Sequence, residues 1–219
     1  MHGYLSSSKS FIYQTEFFKK DFNVFAFDMK GFGENQGMEY PYSLDDYIEE
    51  VKDFIKKNGL KKPHVIAHSF GGRIVLKLAS LDKDIFDKIV LTGSAGLKPK
   101  RTIKYRLKKL AFNFLKIFVK RERLKGFYSK EYNSLSPVMK ESYKKIVNEH
   151  LDYATYYIEN TTLIINGKLD KETPPYTAKR LNKNIKNSRL IMLDGAGHFC
   201  FIDKPYTFNM EVREFLLSK

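Results

Sequence analysis

The segment that most constrains this chain is Val65-Ile66-Ala67-His68-Ser69-Phe70-Gly71-Gly72. Pro63 to His68 is an apolar run that reads as a buried strand, and Phe70 to about Ala79 carries Ile74, Val75 and Leu78 at helical spacing. A serine therefore stands alone between strand and helix, with Ala67 and Gly71 two steps away on either side. Such a turn forces the serine into a strained backbone conformation, and small flanking residues let strand and helix approach. It lifts the hydroxyl above the sheet and aims a helix N-terminus at it, which favours developing negative charge.

The rest of the chain fits the layers that this turn requires. Phe22 to Asp28, Lys88 to Thr92, Thr161 to Asn166 and Arg189 to Leu193 read as further strands. Ser43, with Asp46 three residues on, predicts a capped helix that runs to Asn58-Gly59. Two more helices are expected near Pro175 and Tyr206. Alternating strands and helices specify an α/β fold with a mainly parallel sheet covered on both faces. The core is expected from residues 1–96 and 159–219 in a single domain.

Residues 97–158 break the alternation. Between Lys98 and Lys130 they hold thirteen Lys or Arg against one acid, Glu122. Ile103, Leu107, Leu110, Ala111, Phe114, Leu115 and Phe118 form an apolar stripe at three- and four-residue steps. A helical insertion between two strands is read as a basic lid over the strand ends. The formal charge of +14 raises the question of an anionic partner. No nucleic-acid motif accompanies it, so nucleic acid is not expected; a membrane surface facing the basic insertion stays open. One cysteine, Cys200, excludes an internal disulfide and fits a cytoplasmic setting. No leader-like segment or membrane-length apolar run is present in the sequence.

Two later segments supply partners for Ser69. Asn166-Gly167-Lys168-Leu169-Asp170 follows one predicted strand, and Asp194-Gly195-Ala196-Gly197-His198 follows the next. Both end at the carboxyl edge of the sheet, where Ser69 also lies. A serine hydroxyl is a poor nucleophile until a base takes its proton, and an imidazole does so near neutral pH. Asp170 would fix the tautomer of His198 and stabilise its charged form. Glu172 and Asp194 are rival carboxylates. His68 reads as a structural neighbour, and His64 and His150 have no assigned role. No His/Cys cluster has metal-ligand spacing, so no metal or other cofactor is expected.

On these residues the chain resembles the α/β-hydrolase superfamily over nearly its whole length outside the insertion. Ala67-His68-Ser69-Phe70-Gly71-Gly72 resembles the family's Gly-His-Ser-x-Gly-Gly elbow, with alanine at the first glycine. Asp28 to Asn35 resembles its Asp-x-x-Gly-x-Gly-x-Ser loop, with Asn35 replacing serine, and His2-Gly3 resembles its oxyanion loop. The resemblance implies a Ser69, His198, Asp170 triad, with the backbone amides of Tyr4 and Phe70 as oxyanion hole. It implies hydrolysis of a small ester, thioester or activated carbon–carbon bond through an acyl-enzyme. The alternatives are a non-catalytic relative, or a basic module that docks on an anionic surface. The family also runs through early strands before its His-Gly loop. Without them the strands at Phe22 and Pro63 would lack the neighbour between them. Oligomeric state is not legible.

Overall fold

The computed structural model describes residues 1–100 and 130–218. After a 3-10 turn at Ser8–Phe11 come α1 (Ile12–Phe18), α2 (Leu44–Lys57), β1 (Val65–His68), α3 (Phe70–Leu81) and β2 (Ile89–Thr92). The chain continues through α4 (Lys130–Ser134), α5 (Pro137–Asn148), a 3-10 turn at Ala154–Tyr156 and β3 (Thr162–Gly167). It ends with α6 (Pro175–Asn184), β4 (Ser188–Leu193), α7 (Cys200–Asp203) and α8 (Pro205–Leu217).

The strands form one parallel sheet in the order β1-β2-β3-β4. Every residue of β2 and β3 is buried, as expected of strands covered on both faces. Side-chain alternation divides the core in two. Val65, Ala67, Ile89, Leu91 and Ile164 face α2, α3 and α6, whereas Val90, Leu163 and Ile165 face α1, α7 and α8. The capping box at α2 forms as the sequence predicts: Ser43 accepts from the Asp46 N–H, and the Asp46 carboxylate accepts from the Ser43 N–H.

One expected strand does not form. Phe22 to Asp28 runs beside the sheet without joining a ladder, and Val24 and Phe25 stay partly exposed. Its composition suits a strand, but a strand also needs a hydrogen-bonding neighbour, and β1 is not adjacent to it. Instead Phe25 and Phe27 pack on Phe54 of α2. Within 97–158, α4, α5 and the following 3-10 turn are described, and Met139, Ile146, Leu151 and Ala154 join the core. The predicted stripe from Ile103 to Phe118 lies outside the described residues.

Leu91 is fully buried at the centre of the sheet. Leu91→Ala is expected to cost about 2–5 kcal/mol of folding stability, by lost burial and the cavity left behind. Ser43→Ala removes one cap and is expected to cost about 1 kcal/mol. Urea unfolding followed by circular dichroism checks both; a smaller loss for Leu91→Ala than for Ser43→Ala would contradict this packing.

Candidate active site

Ser69 links β1 to α3 with φ 49° and ψ −106°, a left-handed conformation that a side-chain-bearing residue adopts only under constraint. The constraint comes from both sides. The Ser69 N–H donates to the Thr92 carbonyl of β2 (3.1 Å), and the Ser69 carbonyl accepts from the Ala95 N–H (3.0 Å). Gly72 lies so close to Ser94 that any side chain there would collide with it. The small residues expected from the sequence are required by these approaches.

The first residues of the chain close over the same turn. The Met1 amino group donates to the Ile66 carbonyl (2.6 Å), and the Met1 carbonyl accepts from the His68 N–H (3.0 Å). The His2 carbonyl accepts from the Gly71 N–H (3.1 Å). The His2 ring donates from Nδ1 to the Gly3 carbonyl (2.8 Å) and accepts at Nε2 from the Met29 N–H (3.1 Å). That pair of bonds requires a neutral ring, and burial pushes its pKa down to about 4. Gly3 is held against the site: a Cβ there would lie 2.8 Å from His68 Nδ1 and 3.4 Å from Ser69 Cβ. The Tyr4 and Phe70 N–H groups make no hydrogen bond among the described residues. The Tyr4 ring is wedged among Phe32, Phe70 and Tyr143, with its hydroxyl donating to the Met139 carbonyl (3.2 Å).

The loop resembling Asp-x-x-Gly-x-Gly-x-Ser is folded on its own carboxylate. Asp28 accepts from the Ser8 N–H (2.6 Å) and the Glu34 N–H (2.8 Å). Asn35, at the serine position, donates to the Asp28 carbonyl (3.0 Å) and to Glu50 (3.2 Å).

Beyond β3 and β4 the other two predicted residues meet. His198 Nδ1 lies 2.9 Å from Asp170 Oδ2. Asp170 is buried and also accepts from the Glu172 N–H, the Thr173 N–H and the Thr173 hydroxyl, at 2.8–2.9 Å. Burial alone would raise its pKa, but the bonds from His198 and Thr173 outweigh that and hold the carboxyl below its usual range. With Nδ1–H donated to Asp170, Nε2 is left to accept a proton. The rival carboxylates are elsewhere: Asp194 pairs with Lys168 at the surface (2.7 Å), and Glu172 is exposed.

His198 stands beside the serine turn. Its ring centroid is 4.6 Å from that of His68, the residue before Ser69, and a Cβ at Gly93 would touch its ring. No hydrogen bond joins the Ser69 hydroxyl to His198. In substrate-free enzymes such bonds are often long and tighten when substrate binds. His68 does more than neighbour the site. Its Nε2–H donates to the His198 carbonyl (3.1 Å), so it fixes the loop that bears the imidazole, and burial lowers its pKa to about 3. Thr173 was not singled out in the sequence. Its signal was local, because a threonine three residues after an aspartate can close a side-chain turn on it.

The model of the alpha/beta hydrolase fold family matches residues 1–121, and that of the TAP-like proteins matches 141–219. The chain is 24% identical, over 98% of its length and 89% of the relative, to AB hydrolase superfamily protein YisY of Bacillus subtilis. It is 25% identical to the 2-hydroxy-6-oxo-6-(2'-aminophenyl)hexa-2,4-dienoic acid hydrolase of Metapseudomonas resinovorans, over 90% of this chain and 74% of that one. The solved esterase of Exiguobacterium antarcticum matches the fold with a TM-score of 0.78 at 21% identity, over 100% of this chain and 90% of that one. With a family model covering more than half its length and the strand–serine–helix turn in place, the chain belongs to the α/β-hydrolase fold family.

Proposed function

We propose that this protein is a serine hydrolase that cleaves small carboxylic esters through an acyl-enzyme. Thioesters and activated carbon–carbon bonds would enter by the same step. The observation that carries the reading is the 2.9 Å bond between His198 and buried Asp170, formed beside a serine held at positive φ. In this mechanism Ser69 Oγ attacks the carbonyl carbon while His198 Nε2 takes its proton. The tetrahedral oxyanion is met by the Tyr4 and Phe70 N–H groups and by the N-terminus of α3. Collapse expels the alkoxide, which takes the proton from His198; water then repeats the sequence and frees the acid. Asp170 orients the ring and stabilises its charged form. In this reading residues 97–158 supply the lid. Buried, unpaired Cys200 fits a reducing, cytoplasmic setting. No described helix is long and apolar enough to cross a membrane.

A fluorophosphonate probe followed by peptide mass spectrometry is expected to label Ser69, and Ser69→Ala to abolish both labelling and p-nitrophenyl acetate hydrolysis. A folded, monodisperse sample that takes no label would overturn the assignment. Asp170→Asn, which leaves the tautomer of His198 unfixed, is expected to lower kcat by about 10³–10⁴-fold with little change in KM.

Asp170 also ties stability to pH. Its folded pKa lies below the ordinary 3.8, so the folded state favours the ionised form, fully above that value. The contribution is lost as pH falls through the lower folded value. The thermal midpoint is expected to hold from about pH 7 to 5 and to drop below about pH 4, with a shallower drop in Asp170→Asn. Scanning fluorimetry across that range reads it, and equal slopes would remove Asp170 from the account.

A further inference from the structure

Thr173 stands at the corner between Asp170 and His198. It is buried, and its hydroxyl donates to Asp170 Oδ2 (2.8 Å), the same oxygen that lies 2.9 Å from His198 Nδ1. The hydroxyl oxygen itself lies 3.3 Å from that nitrogen. Thr173 Oγ1, Asp170 Oδ2 and His198 Nδ1 therefore form a closed triangle. Its protons can be assigned. Asp170, ionised near neutral pH, has none to give, and the hydroxyl has one, which goes to Oδ2. What remains of the hydroxyl toward Nδ1 is a lone pair. An Nδ1–H satisfies both oxygens at once, bonded to Oδ2 and shared with Oγ1. The other neutral tautomer would set the Nδ1 lone pair against a carboxylate oxygen, and the hydroxyl could serve it only by turning away from Asp170.

The two carboxylate oxygens are held differently. Oδ1 accepts from the Glu172 and Thr173 N–H groups (2.9 Å each), which fix one end of the carboxylate. Among the described residues, Oδ2 is held only by the Thr173 hydroxyl and by His198 itself. The hydroxyl is placed before the imidazole arrives. The Thr173 N–H is bonded to Asp170, its carbonyl accepts from the buried Asn166 amide (3.3 Å), and Pro174 disfavours helical backbone at the residue before it. A β-branched side chain on a backbone so restricted has few rotamers to choose from.

We propose that Thr173 is a positioning residue of the hydrolytic site: its hydroxyl holds Asp170 Oδ2 against His198 Nδ1 and shares the Nδ1 proton, which keeps Nε2 free as the base. Thr173 acts through Asp170 and transfers no proton of its own. The inference rests on the reading of Ser69, His198 and Asp170 as the hydrolytic triad, and it adds a fourth side chain on which the tautomer of the base depends.

Two matched pairs of full-length proteins separate the hydroxyl from the shape of the side chain: wild type against Thr173→Val, and Thr173→Ser against Thr173→Ala. With p-nitrophenyl acetate, kcat is expected to fall about tenfold or more in Thr173→Val and Thr173→Ala and to stay within about threefold in Thr173→Ser, with KM little changed throughout. Long-range proton–nitrogen NMR correlations on isotope-labelled histidine read the tautomer without any turnover, the His198 signals being assigned by their loss in His198→Gln. Wild type and Thr173→Ser are expected to show the Nδ1–H form, and Thr173→Val and Thr173→Ala a mixture of both. A side chain that only fills space would leave Thr173→Ser as slow as Thr173→Ala. That result, or an unmixed Nδ1–H form in Thr173→Val, would overturn the proposal. If Ser69 takes the fluorophosphonate label equally fast in wild type and Thr173→Val, this inference fails and the hydrolytic reading stands. A folded wild-type protein that takes no label removes both.

Discussion

The turn at Ser69 is the constraint on which the rest of this molecule depends. It holds a non-glycine residue at φ 49°, a conformation that costs roughly 1–3 kcal/mol and persists only where the surroundings over-determine it. Those surroundings are specific. The turn is bonded through its N–H to Thr92 of β2 and through its carbonyl to Ala95 just beyond that strand, Gly72 admits Ser94, and the Met1-His2-Gly3 segment lies across the top. Each contact is made to backbone or to a small side chain, where there is little room to relax. The placement of one half-buried hydroxyl is therefore a property of β1, β2, α3 and the first three residues together.

Three main-chain bonds to β1 and α3 and two ring bonds of His2 hold the Met1-His2-Gly3 segment over the serine turn. His2 is the economical part of this device. Both nitrogens are engaged, one as donor and one as acceptor, so a single neutral ring joins the His2-Gly3 loop to the loop that begins at Asp28. Asp28 in turn gathers Ser8 and Glu34. The segments that resemble family motifs are thus joined by hydrogen bonds.

Much of this was legible in the sequence because it was local. The elbow is eight consecutive residues, the α2 cap is a four-residue pattern, and Asp170 and His198 each follow an apolar run directly. What failed was non-local. Phe22 to Asp28 has the composition of a strand, but pairing depends on what lies beside it, and no residue in the run carries that information. The bond from His68 to the His198 carbonyl spans 130 positions and involves a backbone oxygen, which leaves no trace in residue identity. Thr173 lies between these cases: its spacing from Asp170 could have been read, and its contact with the carboxylate is a short-range turn.

Arg73 has a mechanical consequence for α5. Its buried guanidinium donates to the Ile146 and Glu149 carbonyls, so the carboxyl end of α5 is pinned by charge-assisted bonds of about 1.5–3 kcal/mol each. Lys77 reinforces that end through Glu149 (2.6 Å). Near the amino end, the hydrogen bond that ties α5 to the first residues is a single neutral phenol contact, from Tyr4 to the Met139 carbonyl, worth about 0.5–1.5 kcal/mol. Midway along, the buried Ser142 hydroxyl donates to the Tyr42 carbonyl (2.8 Å), so α5 is moored along its length and by charge only towards its carboxyl end.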